Sequence, residues 1–296
     1  MRRWWTAVAV GGLALLALTG CGAPAGLDVD LTDDWPALAA PQGFVPAAGV
    51  CHADVQDVGY LSGYRPVDCA QSHRAETMHV GTFAGAEARR STPPAGGTPA
   101  MLAARAECDR AVRRAVGADW RSGRLGLAVV FPSAAAWTGG ARWFRCDLTE
   151  VASIDESRAV PRTGSLKGAL TRDTDLRLRC FEPKVKGDEV EAMAPVSCTA
   201  RHHAEFVGVW AATDLSYAQL NRGDDRVHKG CMGVLAKYTG VPNDGNLRFR
   251  AGSIFYHPLE REWRDGNRGV QCFLWVGDRN LTRSLKGVGT RGLPVR

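Results

Sequence analysis

Two His-x2-Glu pairs, His73/Glu76 and His202/Glu205, are the residues of this 296-residue chain whose types and spacing come nearest to chemistry. Each follows a cysteine, in Cys69-Ala-Gln-Ser-His73-Arg-Ala-Glu76 and Cys198-Thr-Ala-Arg-His202-His-Ala-Glu205. Histidine titrates near neutrality and a carboxylate can orient it, so such a pair could move a proton. With a reduced cysteine beside it, the pair could activate a thiolate or hold a metal. The competing assignment is a buried hydrogen-bonded brace at the start of a strand. That assignment is favoured, because residues three apart on extended chain point to opposite faces.

The elements that must position these pairs are written in the cysteines. Eight fall into two sets of four: Cys51, Cys69, Cys108, Cys146 and Cys180, Cys198, Cys231, Cys272. In both sets the first two are 18 positions apart. Structural zinc sites use close pairs such as C-x2-C, which are missing here. Four disulfides are therefore expected, as in a protein folded in an oxidising compartment, with no metal and no catalytic residue. Each set allows three connectivities. The expected one joins first with second, stapling strands, and third with fourth, tying a helix to a strand.

A second motif also occurs twice, as P-x4-W-x2-G-x-R-x3-C. It places Pro132, Trp137, Gly140, Arg142 and Cys146 against Pro258, Trp263, Gly266, Arg268 and Cys272. Alternation along a strand puts each arginine on the face of its cysteine. A buried guanidinium needs a carboxylate, so the pairs Arg142–Glu76 and Arg268–Glu205 are expected. Trp137 and Trp263 are expected as lids over the core. Each half closes with Ser-Leu-Lys-Gly, at residues 165–168 and 284–287.

The fold class expected is α+β: two tandem small domains, each a short antiparallel sheet on one main helix, stapled by two disulfides. Thr98 and Pro99 start a helix that Gly117 stops; a second runs from Asp225 to Tyr238, ended by Gly240. Strands are expected at 50–52, 76–83, 125–131 and 142–148, and at 176–181, 205–210, 247–256 and 268–276. The domains span residues 49–148 and 176–290, with 149–175 as linker.

Upstream, Arg2 and Arg3 precede a 13-residue apolar run, Thr6 to Leu18, and then Thr19-Gly20-Cys21. That run is short for a membrane span and fits a signal peptide, residues 1–20. A Pro/Ala/Asp-rich tether follows over residues 21–48. The net charge of +6 is mild, and no basic run is dense enough to argue for nucleic acid. G-x-S-x-G, S-x-x-K and H-E-x-x-H are missing, which weakens an enzyme reading.

Small residues before Cys21 resemble a bacterial lipobox. The resemblance implies lipidation of Cys21 and attachment to the outer face of the cell membrane. Taken with C…C-x3-H-x2-E…C…P-x4-W-x2-G-x-R-x3-C, the chain resembles the actinobacterial septum-formation lipoprotein family, over about residues 50–148 and again 178–277. Ser72 and Arg201 stand where the family element carries proline. The resemblance implies an extracytoplasmic role in septum formation or envelope organisation, with no assigned catalytic residues and no cofactor. The partners expected are the lipid bilayer through Cys21 and envelope or division proteins or wall polymer. Two other functions are compatible with the residues: a wall- or glycan-binding lipoprotein with no division role, and a secreted hydrolase or metal-dependent enzyme using the His-x2-Glu pairs.

Overall fold

Alternating apolar residues and tight turns build eleven strands in the computed structural model, which describes residues 43–187, 189–223 and 225–295. The signal peptide, Cys21 and most of the tether lie outside the described residues. The first half supplies β1 (Val50–His52), β2 (Val58–Gly59), β3 (Pro66–Val67), β4 (Ala75–Thr82), β5 (Leu125–Pro132) and β6 (Trp143–Glu150). The second supplies β7 (Cys180–Lys186), β8 (Glu189–Val196), β9 (Ala204–Ala211), β10 (Gly252–Tyr256) and β11 (Gly269–Trp275). They form two sheets, ordered β2-β5-β6-β4-β1-β3 and β10-β11-β9-β7-β8. Apart from the added β2, which pairs in parallel with β5, the orders correspond strand for strand. Even the irregularities coincide. The pairing of β4 with β6 skips Met78, and that of β9 with β11 skips Val207, two residues after Glu76 and Glu205. The fold is mixed α+β with two sheets.

One long helix packs on each sheet. The first, Pro99–Val116, starts where the Thr98 hydroxyl accepts the Met101 N–H and Pro99 takes the first helical position. It stops at Gly117, whose φ of 88° is open to glycine at little cost. The second helix spans Asp225–Thr239. Disulfides Cys108–Cys146 and Cys231–Cys272 fasten each helix to the strand next to the sheet's middle. Cys51–Cys69 and Cys180–Cys198 fasten β1 and β7 to the loops that follow β3 and β8. All four bonds follow the expected connectivity. Their Cα separations repeat as well, 5.2 Å for the strand staples and 5.3 Å for the helix ties. Replacing both Cys51 and Cys69 with alanine is expected to cost about 3 kcal/mol, read as a lower denaturation midpoint in urea.

Some segments differ from expectation. The 247–256 strand begins only at Gly252, because Leu247–Phe249 is a 3-10 turn set by Asp244, whose carbonyl accepts the Leu247 N–H. The strand expected at 176–181 starts at Cys180 and continues to Lys186, where it turns into β8, a strand not expected at all. Residues 149–175, expected to join the halves, carry Leu166 and Leu170 into the core under the first helix. From Gly43 onward the chain is one compact unit. The halves are tied by Arg121, whose Nε donates to Asn267 Oδ1 at 2.8 Å while its carbonyl accepts from Gln271 at 2.7 Å. Among the described residues no helix is long and apolar enough to cross a membrane.

Candidate functional site

The His-x2-Glu pairs are inside the protein. His73, Glu76, His202 and Glu205 are 1%, 3%, 0% and 0% exposed, which decides between cleft and scaffold. In each half the histidine precedes the strand and turns its Nδ1 onto a carbonyl two residues back, Gln71 or Ala200. Each glutamate sits at the start of a strand and grips the closing Ser-Leu-Lys-Gly segment. Glu76 accepts from Ser165 Oγ and the Leu166 N–H, both at 2.6 Å. Glu205 accepts from Ser284 Oγ at 3.0 Å and the Leu285 N–H at 2.9 Å. The leucine then drops into the core, and the glycine donates its N–H to the last turn of the helix, at Ala115 or Tyr238. The glutamate thus replaces water for donors that burial would otherwise strand. Sequence showed that Ser-Leu-Lys-Gly recurs; only the fold shows which residue holds it.

The two halves part over the histidine. His202 Nε2 lies 3.2 Å from Glu205 Oε1, and the Tyr238 hydroxyl adds a further bond to Oε2 at 3.1 Å. The expectation of opposite faces fails there, because His202 lies before the strand and is free of its alternation. Burial and the Glu205 charge raise the Tyr238 pKa to about 12, so the phenol stays a donor. In the first half Ala115 replaces that tyrosine, and among the described residues His73 Nε2 has no hydrogen-bond partner.

Neither expected Arg–Glu pair forms. Arg142 and Arg268 turn back onto their own motif, donating through Nη1 to the carbonyl of Trp137 or Trp263. Each guanidinium lies over the same tryptophan ring, 4.4 Å and 4.2 Å from its centroid. The motif is a self-contained cation–π clamp, with positive-φ Gly140 and Gly266 turning the chain back. Carbonyls and a ring face replace the carboxylate because both arginines precede the strand and stay half-buried. Trp137 and Trp263 are buried in the two cores, as lids would be.

Metal-ligand geometry is approached twice. Atoms of Cys51, Cys69 and Glu76, and of Cys180, His202 and Glu205, lie within 4.8 Å of one another. In each group the cysteines are held in disulfides, which offer no thiolate to an ion.

A further polar group escaped the sequence reading. On the sheet face away from the first helix, His52 Nε2 meets Thr77 Oγ1 at 2.9 Å, and Thr77 donates to Asp147 Oδ1 at 2.8 Å. Asp147 Oδ2 pairs with Arg145 Nε at 2.9 Å, and Arg145 Nη2 reaches Gln56 at 2.8 Å. His52, Thr77, Arg145 and Asp147 are buried. Counted from the shared cysteines and glutamates, His52, Thr77 and Asp147 correspond to Phe181, Phe206 and Phe273. Those three rings form the equivalent apolar cluster, with centroids 5.4 Å apart across both Phe273 contacts. The mismatch in an otherwise shared pattern was the available signal.

Burial, then the Arg145 charge and His73, lower the His52 pKa from 6.5 to about 4. The unfolded chain takes up this proton below about pH 6.5, the folded chain only near pH 4. Stability from this group is therefore complete above pH 6.5 and lost on acidification towards pH 4, by about 2 kcal/mol after solvent screening. His52→Phe should flatten the denaturation midpoint across that window.

The shared elements are those of a disulfide-braced α+β protein with repeated Glu-anchored turns. The sequence model described as septum formation matches residues 48–272, and the chain belongs to that family. No curated protein and no solved structure matches it.

Proposed function

We propose that this protein is a non-catalytic binding module of the cell envelope with a role in septum formation, built from two copies of one domain. The family supports the septal role. Disulfides support an envelope or extracellular location, where thiols oxidise. The observation that carries the non-catalytic reading is the engagement of both His-x2-Glu pairs inside the fold. A general acid or base must reach substrate, and Glu76 and Glu205 are instead saturated by the closing turns. The two copies differ in what lies around that common brace, which suits binding surfaces that have diverged on one scaffold.

In this reading residues 1–20 are a signal peptide, Cys21 carries the lipid anchor and residues 21–48 tether the folded part. The test is the position in growing cells of a fluorescent fusion carrying its own N-terminus. Enrichment at division septa, lost on Cys21→Ala, is the expected result. An even envelope distribution would reject the septal role and leave a general wall- or glycan-binding lipoprotein.

A further inference from the structure

An arginine stripe on the first helix is not part of the shared framework. Arg105, Asp109, Arg110 and Arg113 recur at helical spacing, whereas the matching positions of the second helix are His228, Met232, Gly233 and Ala236. The stripe lines an open cleft of about 640 Å³ whose far wall is formed by β9, β11 and Arg268. The cleft therefore lies where the halves meet, and its volume suits a small ligand or one end of a larger one.

Its charges are unevenly matched. Asp109 and Asp119 are both taken by Arg113, at 2.8 and 2.7 Å, and by Arg121, at 2.8 and 3.2 Å. Arg105, Arg110 and Arg268 line the same cleft with no carboxylate within ion-pair distance among the described residues. Arg110 is exposed, and its side chain makes no hydrogen bond among those residues. Arg105 is only 4% exposed, and one of its nitrogens, Nη1, donates to the Leu127 carbonyl. Its Nε and Nη2 have no hydrogen-bond partner among the described residues. A buried guanidinium with two unused donors is costly unless something accepts from it. Burial and the neighbouring Arg121 lower its pKa to about 10, against the opposing pull of Glu262, Asp109 and Asp265.

We propose that this cleft binds a phosphate-bearing anion, with Arg105, Arg110 and Arg268 as its cationic contacts. The inference rests on the binding-module reading and names the ligand chemistry for it. Guanidinium forks match phosphate oxygens in pairs, and three cations without a carboxylate partner suit a multiply charged group better than a single carboxylate.

The experiment is calorimetric titration of the full chain, purified in detergent, with inorganic pyrophosphate. Wild type should bind. Arg110→Glu, which removes no internal contact, should weaken binding at least about tenfold with the melting temperature unchanged. Arg105→Gln should weaken it comparably. Competition separates the sources of phosphate: displacement by short-chain phosphatidylglycerol marks a lipid headgroup, and displacement by glycerol phosphate marks a soluble phosphate ester. No binding at millimolar pyrophosphate, or equal binding by Arg110→Glu, would overturn the proposal. A septal fusion combined with either of those results would reject this cleft alone. A non-septal fusion that still binds pyrophosphate would reject the septal reading alone.

Discussion

Glu205→Ala should lower the unfolding free energy by about 4–5 kcal/mol, among the largest losses available to one substitution outside a cavity-forming core change. The substitution strands Ser284 Oγ, the Leu285 N–H and the Tyr238 hydroxyl together. Leu285 and His202 are almost fully buried, so water cannot simply take the carboxylate's place. The closing segment, Leu285 included, should then detach from the second core. Urea denaturation would show the fall in midpoint. Hydrogen exchange should localise early opening to residues around 284–288 and the end of the second helix. Glu76→Ala should follow the same direction with a smaller loss, since Glu76 holds fewer donors.

Asp147→Ala is expected to cost about 4 kcal/mol, for a different reason. It leaves the guanidinium of Arg145, 1% exposed, without its carboxylate, and it removes the acceptor of the Thr77 hydroxyl. Removing one member of a buried ion pair exposes the desolvation cost of the other. The double variant Asp147→Phe with Arg145→Gln installs the residues found at Phe273 and Gln271. It should recover part of the loss. A double-mutant cycle by equilibrium denaturation measures that recovery, and additive costs would argue against a coupled pair.

The framework was legible where one physical rule acted locally. Thr98-Pro99 and Gly117 bound the first helix because capping and positive φ are nearest-neighbour requirements. That the cysteines pair within two sets of four was legible because the pattern repeats; which of three connectivities forms in each set is decided by the strands and helix that the fold brings to Cα separations of 5.2 and 5.3 Å. What escaped depends on register between distant strands. Thr77 and Asp147 are 70 positions apart and meet only because β4 pairs with β6 in that register. The glutamate's true partners lie about 80–90 residues away, in Ser-Leu-Lys-Gly segments whose recurrence is legible but whose contacts are not. The arginine's expected carboxylate follows from strand alternation and burial, but Arg142 precedes β6 and stays half-buried. Its neighbouring carbonyls and its own tryptophan were nearer, and a half-buried guanidinium can be satisfied by them.

If both His-x2-Glu pairs are braces and not chemistry, as proposed, the carboxylate base is dispensable at Glu76 and Glu205. Glu76→Gln with Glu205→Gln tests it directly, because glutamine keeps an acceptor oxygen and loses the base. The measurement is cell length and septum placement in cells whose only copy is this variant, at a temperature where its melting curve shows it folded. Normal division is the result expected of braces. A folded variant that fails to support division would contradict the claim and return the pairs to catalysis.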